Sequence, residues 1–304
     1  MTEHVTVLLN EAVEMLNVKE DGIYVDGTLG RGGHSLEILK RLKTGKLYCF
    51  DIDEEAIKKS KLILKDYNNV IYIHDNYMNM NKYIDHVDGI LLDLGVSSPQ
   101  FDEAERGFSY RSNGPLDMRM DRRQVLKASD IINSYSEKDL VNLIKNYGEE
   151  KFAKSIAKAI VLRRADSKIE STLDLVGVIK DSLPNKVLQK KGHPAKQTFQ
   201  ALRIEVNSEI NSLSYFLNNF NQILNKKGRV VIITFQSLED RLVKEQFKRL
   251  SSVIVNKRIA VKPNDVEIAK YHLLNRKVVV PSEDEMDRNH RSKSAKLRGI
   301  ERLD

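Results

Sequence analysis

Residues 26–35 read Asp26-Gly27-Thr28-Leu29-Gly30-Arg31-Gly32-Gly33-His34-Ser35 in this chain of 304 residues. This glycine-rich segment follows the apolar run Ile23–Val25 and precedes a helical pattern of apolar residues that starts at Leu36. A strand, a glycine-rich turn and a helix in this order are typical of a nucleotide-type cofactor loop. Glycines allow close approach of the backbone, and the helix N-terminus offers unpaired N–H groups. The segment therefore predicts a cofactor site after a first strand.

A second apolar run, Leu47–Phe50, ends at Asp51, which lies 18 residues after Gly33. Sheets that bind nucleotide cofactors place an acid here for the ribose hydroxyls. The strict G-x-G-x-x-G pattern is not met. Asp26, four residues before Gly30, is instead typical of the loop that binds S-adenosylmethionine (AdoMet) in Rossmann-like methyltransferases.

Composition restricts the class of protein. Apolar and charged fractions of 41% and 31% are those of a soluble globular chain. No apolar run approaches the roughly 20 residues of a membrane span, and we see no secretory signal in the N-terminal residues. The single cysteine, Cys49, predicts a core position and a reducing compartment such as the cytoplasm. Neither the histidines nor any cysteine cluster shows metal-ligand spacing, so we expect no metal site.

Positive charge is concentrated in two regions. Residues 151–196 contain 11 Lys and Arg against four acids, and residues 288–304 contain six against two. Basic patches of this kind attract polyphosphate partners, which predicts a nucleic-acid substrate. A solvated helix face is the alternative interpretation.

Short apolar runs alternate with helical patterns through the first hundred residues. The four runs are Ile23–Val25, Leu47–Phe50, Val70–Ile73 and Gly89–Leu92, and a helix is predicted over Glu54–Tyr67. This alternation predicts an α/β fold with a parallel sheet that is buried on both faces.

The alternation stops after Pro99. Helical patterns follow at Glu137–Tyr147, Glu149–Arg164 and Thr172–Leu183. The sheet pattern then resumes with a strand at Gly228–Phe235, a helix at Leu238–Leu250 and the apolar runs Val253–Val255 and Val278–Val280. We therefore predict a discontinuous Rossmann-like domain, 1–104 and 211–304. Residues 105–210 are predicted to form a helical insert between strands 4 and 5 that recognises the substrate.

The fourth strand ends at Asp93, beside the predicted cofactor loop. Exocyclic amines of bases are poor nucleophiles because their lone pair delocalises into the ring. An acceptor at this edge that takes an amine N–H frees the lone pair and stabilises positive charge developing on nitrogen. Asp93 is therefore the candidate catalytic residue, with a helix or turn cap as the alternative.

Longer motifs resemble one family. They are His4–Leu9, Asp26–Ser35, Leu92–Gln100, Glu105–Ser109, Gly114–Met120, Phe199–Ile204, Ser237–Arg241 and Arg291–Arg298. Together they resemble the ribosomal RNA small subunit methyltransferase H (MraW) family over almost the whole chain. Members of that family use AdoMet to methylate the N4 amine of a cytidine in the decoding region of 16S rRNA.

The resemblance implies a set of functional residues. The AdoMet contacts that it implies are Gly32, Gly33, His34, Asp51, Tyr77, Asp93 and Gln100. From charge, the side chains predicted to contact RNA are Lys154, Lys158, Arg163, Arg164, Arg291, Lys293, Lys296 and Arg298. The predicted partner is 16S rRNA in the small ribosomal subunit, without membrane attachment and with an undetermined oligomeric state.

This chain departs from the family pattern at two positions. Gln236 stands where the family usually has histidine, so no proton transfer can depend on that side chain. His290 replaces a proline, which removes a rigid turn.

Three alternatives stay open at this stage. They are an oxidoreductase that uses NAD, a non-catalytic RNA-binding protein with a vestigial pocket, and a methyltransferase that acts on amines of DNA.

Overall fold

The computed structural model describes residues 6–95, 98–252 and 269–304. Its strands are β1 (Ile23–Asp26), β2 (Lys46–Phe50), β3 (Val70–Ile73), β4 (Val87–Asp93), β5 (Leu224–Thr234), β6 (Tyr271–Leu273) and β7 (Lys296–Arg302). They form one seven-stranded sheet in the order β3-β2-β1-β4-β5-β7-β6. The first five strands are parallel, whereas β7 is antiparallel to both of its neighbours.

The helices are α1 (Leu9–Leu16), α2 (Gly33–Leu39), α3 (Glu54–Ile63), α4 (Ser98–Asp102), α5 (Ala128–Ser134), α6 (Glu137–Gly148), α7 (Ala153–Asp166), α8 (Thr172–Asp181), α9 (Asn185–Leu188), α10 (Lys196–Val206), α11 (Glu209–Asn219), α12 (Ser237–Leu250) and α13 (Glu283–Arg288). None of these helices in the described ranges is long and apolar enough to cross a membrane. The chain divides into two compact units, here called the sheet unit (1–95 and 211–304) and the helical unit (96–210).

The sheet unit has a hydrophobic core on each face of its sheet. Successive side chains of a strand point to opposite faces, so Ile90 and Leu92 join one core while Leu91 joins the other. The first core includes side chains of α11 and α12, and the second includes side chains of α1, α2 and α3. Both faces are therefore covered, as expected for parallel strands with near-continuous apolar sequences.

The predicted Rossmann-like α/β class is confirmed, and the first five strands lie within a few residues of their predicted positions. Two predicted helix bounds were wrong, and one apolar run does not form a strand. The helix predicted to reach Tyr67 ends at Ile63. Val278–Val280 is not a strand, since only Val279 forms an isolated bridge, to Leu297. The helix predicted from Glu149 begins at Ala153, because Glu149 adopts a left-handed conformation that ends α6. The run Val253–Val255 lies outside the described residues.

The basic C-terminal segment contains a strand that composition did not predict. Within β7, Leu297 and Ile300 are fully buried. Two cations of this strand contact Asp240 on α12: Lys296 Nζ at 3.0 Å and Arg298 Nε at 2.7 Å. Burial alone would raise the pKa of Asp240, but the hydrogen bonds from Arg298 and Lys296 lower this pKa below its ordinary value. These ion pairs fasten the strand to α12.

Buried polar contacts hold the long segment between α4 and α5 in the helical unit. The Arg106 guanidinium is buried and donates to the carbonyl oxygens of Arg119 and Met120. The Asn207 side chain donates to the Met118 carbonyl at 2.8 Å and accepts the Met120 N–H at 2.7 Å. The segment before α5 is therefore fixed although it has little regular structure. The bounds 105–210 for a substrate-recognition insert stay a prediction.

We expect Asp240→Ala to lower the free energy of unfolding by about 1.5–3 kcal/mol, because it removes two charge-assisted hydrogen bonds and leaves two cations without their partner. The measurement is a urea titration followed by circular dichroism. Glu20→Ala, which breaks the exposed Glu20–Lys43 pair, is the control and should change little. Equal effects of the two substitutions would contradict this role of Asp240.

Candidate active site

The loop between β1 and α2 has a backbone that requires glycine. Gly30 and Gly32 have φ values of +51° and +77°, in the left-handed region. Gly32 caps α2, and a Cβ atom on Gly33 would overlap Oγ1 of Thr6. The Leu29 N–H donates to the Phe50 carbonyl at 2.9 Å, which joins the loop to β2. The loop predicted from the glycine spacing is therefore present and follows the first strand.

Asp26, at the end of β1, fixes this loop from inside. Its carboxylate accepts the Ser35 hydroxyl at 2.6 Å and the Thr28 N–H at 3.1 Å. Burial raises the pKa of Asp26 to about 6, although both hydrogen bonds oppose the shift. The partner Ser35 was not foreseen, since the sequence alone does not show that the first turn of α2 folds back over β1.

Asp51, at the end of β2, contacts the loop directly. Its Oδ2 accepts the Gly30 N–H and its Oδ1 accepts the Asp53 N–H, both at 2.8 Å. Burial raises the pKa of Asp51 to about 7, and the negative charges of Asp53 and Asp26 add to the shift. Each carboxylate oxygen has further acceptor capacity. Asp51 therefore lies where a ribose contact was predicted, held by two backbone groups.

Sequence reasoning missed a second support for the same loop. Ser60 on α3 is fully buried, and its hydroxyl donates to the Gly30 carbonyl at 2.7 Å. The N–H and the carbonyl of Gly30 are thus both occupied, which fixes the orientation of its peptide groups. A lone serine on an amphipathic helix gives no signal of this role.

Asp93 lies at the end of β4, against the loop and His34. Its N–H donates to Oγ1 of Thr28 at 2.6 Å. Its Oδ2 lies 3.7 Å from Nδ1 of His34. Nε2 of His34 lies 3.2 Å from the Val7 carbonyl, which can only accept, so Nε2 carries a proton. In the neutral ring Nδ1 is then the unprotonated nitrogen and faces the carboxyl group.

The electrostatic environment of Asp93 disfavours its charge. Burial and the negative charges of Asp26 and Glu239 raise the pKa of Asp93 well above its ordinary value. Its Oδ1 is buried and has no hydrogen-bond partner among the residues that the structure describes. Perturbed carboxyl groups with unused acceptor capacity are typical of sites that bind donors or cations.

Tyr77 follows β3 and lies next to the loop. A Cβ atom on Gly27 would lie 3.0 Å from Cβ of Tyr77. The Tyr77 ring meets the Phe216 ring edge-on, with centroids 5.8 Å apart. The structure thus brings six of the predicted cofactor residues to the carboxyl ends of β1–β4: Gly32, Gly33, His34, Asp51, Tyr77 and Asp93. Gln100 is buried in α4 of the helical unit, and its cofactor contact stays a prediction.

The residues predicted to bind RNA differ in their surroundings. Lys154 and Lys158 are exposed on α7. Arg163 donates to the Ser167 carbonyl, and Arg164 donates to the carbonyls of Ile132 and Tyr135 at 2.6 and 2.7 Å. The guanidinium of Arg164 therefore serves the packing of the helical unit.

In the C-terminal segment, Arg291 and Lys293 are exposed, whereas Lys296 and Arg298 are engaged with Asp240. The turn that lacks the family's proline is held by Asn289, whose Oδ1 accepts the Arg291 N–H at 3.2 Å. His290 then begins a short 3₁₀ helix, His290–Ser294.

No group of three or more His, Cys, Asp or Glu side chains in the described parts of the chain is arranged to hold a metal ion. Cys49 is a buried free thiol in the core, with Sγ 3.3 Å from Oγ of Ser35.

Comparisons with known proteins identify the family. A model of the MraW methylase family matches residues 1–303. Ribosomal RNA small subunit methyltransferase H of Clostridium botulinum (strain Kyoto / Type A2) is 50% identical over 305 residues, which cover 97% of each chain. Two solved structures are more distant. An rRNA methylase from Streptococcus thermophilus is 13% identical, with 99% of this chain and 100% of that chain covered and a TM-score of 0.40. A Streptococcus mutans protein crystallised with SAH is 14% identical, with coverage of 99% and 100% and a TM-score of 0.41.

Three findings agree with one another. They are the motifs from His4 to Arg298, the family match over residues 1–303 and the identity to the Clostridium botulinum relative. The chain belongs to the MraW methylase family.

Proposed function

We propose that the chain is an AdoMet-dependent methyltransferase of small-subunit ribosomal RNA that methylates the N4 amine of a cytidine in the decoding region of 16S rRNA. The observation that carries this proposal is the half-buried Asp93 beside the glycine loop, whose buried Oδ1 has no hydrogen-bond partner among the described residues. Membership of a methylase family and the name of the Clostridium botulinum relative support the reaction class and the rRNA substrate.

The charges of the site fit this cofactor. Burial raises the pKa values of Asp26, Asp51 and Asp93, and mutual repulsion adds to the shifts of Asp51 and Asp93. A bound cation favours the ionised form of a neighbouring carboxyl group. AdoMet has a sulfonium and an ammonium group, and when bound it supplies an electrophilic methyl group. SAH lacks the sulfonium charge, so we expect this site to bind the product less tightly than the cofactor.

The loop and its neighbours provide the contacts for such a ligand. We propose that the N–H of Gly33, at the start of α2, receives the methionine carboxylate and that Asp51 accepts the ribose hydroxyls. The N–H of Gly32 donates to the Leu29 carbonyl at 2.7 Å, and Gly32 contributes the turn that precedes the helix. We expect the Tyr77 ring to pack against the adenine. Because Gly30 and Asp53 fix both oxygens of Asp51, this acceptor is oriented before the ligand binds.

Asp93 acts on the amine of the substrate. Its Oδ1 accepts one N–H, which directs the nitrogen lone pair away from the ring and stabilises positive charge on nitrogen. The proton that the nitrogen loses can move to Asp93, because a carboxylate with a raised pKa is a stronger base than an ordinary one. Oδ2 of the same carboxyl group lies 3.7 Å from Nδ1 of His34.

We further propose that the helical unit and the exposed part of the C-terminal segment hold the RNA backbone. Lys154 and Lys158 on α7 and the pair Arg291 and Lys293 are the exposed cations of the predicted set. The target cytosine has to leave its stack to reach Asp93, so an open RNA structure should be preferred to a closed duplex.

The first test of the cofactor site is the pH dependence of AdoMet affinity in Asp51→Asn. Ribose hydroxyls bind best to the ionised carboxylate, so in the wild type the affinity should fall as the pH drops from 7.5 to 5.5, through the Asp51 pKa of about 7. Asp51→Asn should bind AdoMet about 10- to 100-fold more weakly at pH 7.5, the scale of hydrogen bonds to a charged group, with a flatter pH profile. Calorimetry measures both. Glu54→Gln, at an exposed position on α3, is the control, and parallel profiles for the wild type and Asp51→Asn would refute the assignment.

Asp93→Asn tests the amine acceptor. The amide keeps an acceptor oxygen but loses the charge that stabilises positive nitrogen, so single-turnover methylation should fall by about 10²-fold or more. The rate is measured on small ribosomal subunits at saturating AdoMet and RNA. Asp85→Asn, exposed just before β4, is the matched control. A near-normal rate in Asp93→Asn would show that another group accepts the amine.

The RNA surface is tested by replacing Lys154 and Lys158 together with Ser. If each lysine contacts a phosphate, the slope of log affinity against log salt should shrink by about 0.7 per contact on single-stranded RNA. AdoMet affinity should stay unchanged. Lys65→Ser with Lys226→Ser, two exposed positions of the sheet unit, gives a control of equal charge change. The same slope in all three proteins would assign α7 to a solvated face.

A further inference from the structure

Two oxygens at the carboxyl edge of the sheet are buried without a hydrogen-bond partner among the described residues. They are Oδ1 of Asp93 and Oε1 of Gln236. Native proteins leave few buried polar atoms unpaired, because each one loses its hydrogen bonds to water. Two such acceptors in one region of the sheet unit indicate that this region receives hydrogen-bond donors.

The two residues lie at the ends of adjacent strands, Asp93 as the last residue of β4 and Gln236 two residues after the end of β5. β4 and β5 are parallel, with Asp93 opposite Ile233, and the Leu94 N–H donates to the Ile233 carbonyl at 2.9 Å. Two residues beyond the Asp93–Ile233 pair on each segment, a Cβ atom on Gly95 would lie 3.3 Å from the Phe235 ring. Gln236 follows Phe235 directly. The chain segments that carry the two oxygens therefore run together beyond the end of the sheet.

The position of Gln236 is fixed by α12. Gln236 is the residue before the helix, and Oε2 of Glu239 accepts the N–H groups of Phe235 and Gln236 at 3.0 and 3.1 Å. Glu239 is buried, so this arrangement is shielded from water. The backbone of Gln236 is thus held, while no residue in the described part of the chain donates a hydrogen bond to its Oε1.

We propose that Oε1 of Gln236 is the second acceptor for the substrate amine, so that Asp93 and Gln236 together receive its two N–H groups. This inference rests on the proposed function, since a primary exocyclic amine is the group that offers two donors on one nitrogen. Gln236 then acts as a residue that recognises the base. A uracil at the same place would present a carbonyl oxygen to two acceptors and would be repelled.

Gln236 stands where the family usually has histidine, and the two side chains respond differently to pH. A histidine loses its acceptor when it becomes protonated, whereas an amide oxygen remains an acceptor at every pH. In this chain, the acceptor that residue 236 offers to the amine therefore does not itself titrate.

The test compares variants that remove the acceptor with one that keeps it. Gln236→Met has the same unbranched length without an acceptor. Gln236→Ser is a good helix cap whose hydroxyl is too short to reach the amine. Gln236→Glu keeps an acceptor oxygen. Ser237→Ala, at the adjacent exposed position, is the control.

Two quantities are measured. The first is the single-turnover rate on small ribosomal subunits at saturating AdoMet. The second is the preference for RNA with cytidine over RNA with uridine at the target position, from dissociation constants of complexes that contain SAH. AdoMet affinity and melting temperature are recorded for each variant, so that a loss of folding is recognised.

We expect Gln236→Met and Gln236→Ser to lower the single-turnover rate about 10-fold, which is the effect of one lost hydrogen bond. The same two substitutions should lower the preference for cytidine over uridine by about threefold or more. Gln236→Glu should retain most of the rate, and AdoMet affinity should stay unchanged. Rates within about twofold of wild type would overturn the inference, as would a lower rate with unchanged cytidine preference. A wild-type protein that methylates no cytidine would instead refute the proposed function.

Discussion

The candidate site depends on three carboxyl groups that lie close to one another where parallel strands end. β1, β2 and β4 bring Asp26, Asp51 and Asp93 to one edge of the sheet unit, in surroundings that raise the pKa of each. Backbone N–H groups and the Ser35 hydroxyl hold the first two in fixed orientations. Such a site is stable only with protons or with ligands that bring positive charge and hydrogen-bond donors. A cationic cofactor and an amine substrate meet both requirements.

Both ends of the chain support this edge. The Val7 carbonyl orients His34, and the next residue, Leu8, donates its N–H to Glu285 of α13 at 2.9 Å. β7 then inserts between β5 and β6 and is fastened to α12 by Asp240. The C-terminal cations therefore differ in their surroundings. Those within β7 contact Asp240 and stabilise the sheet unit, whereas Arg291 and Lys293 precede the strand and are exposed.

The sequence predicted the parts of the fold that have local signals. The strands β1–β5 are short apolar runs beside helical patterns, and the glycine loop and Asp51 follow from spacing. The family resemblance added Tyr77 and His34, which lie after β3 and in the first turn of α2, and their cofactor contacts stay a prediction. Each of these features is encoded within a few consecutive residues, so a single sequence is sufficient to find it.

The remaining features depend on partners that are distant in the chain. β6 has only three residues, and β7 reads as a basic tail until its pairing with β5 is known. Arg164 looks like a phosphate ligand, yet its carbonyl partners lie 29 and 32 residues earlier. The oxygens of Asp93 and Gln236 that have no partner among the described residues are found only once the pairing of β4 with β5 is known.

Methyl transfer to a defined nucleoside tests the central claim most directly. Small ribosomal subunits from cells that lack this protein would be incubated with the protein and isotope-labelled AdoMet, and the rRNA would be digested and analysed by mass spectrometry. Naked rRNA and DNA would be treated in parallel. The account predicts label in N4-methylcytidine from the decoding region of 16S rRNA and none in DNA. Label in another nucleoside, in DNA, or in no nucleic acid would contradict it.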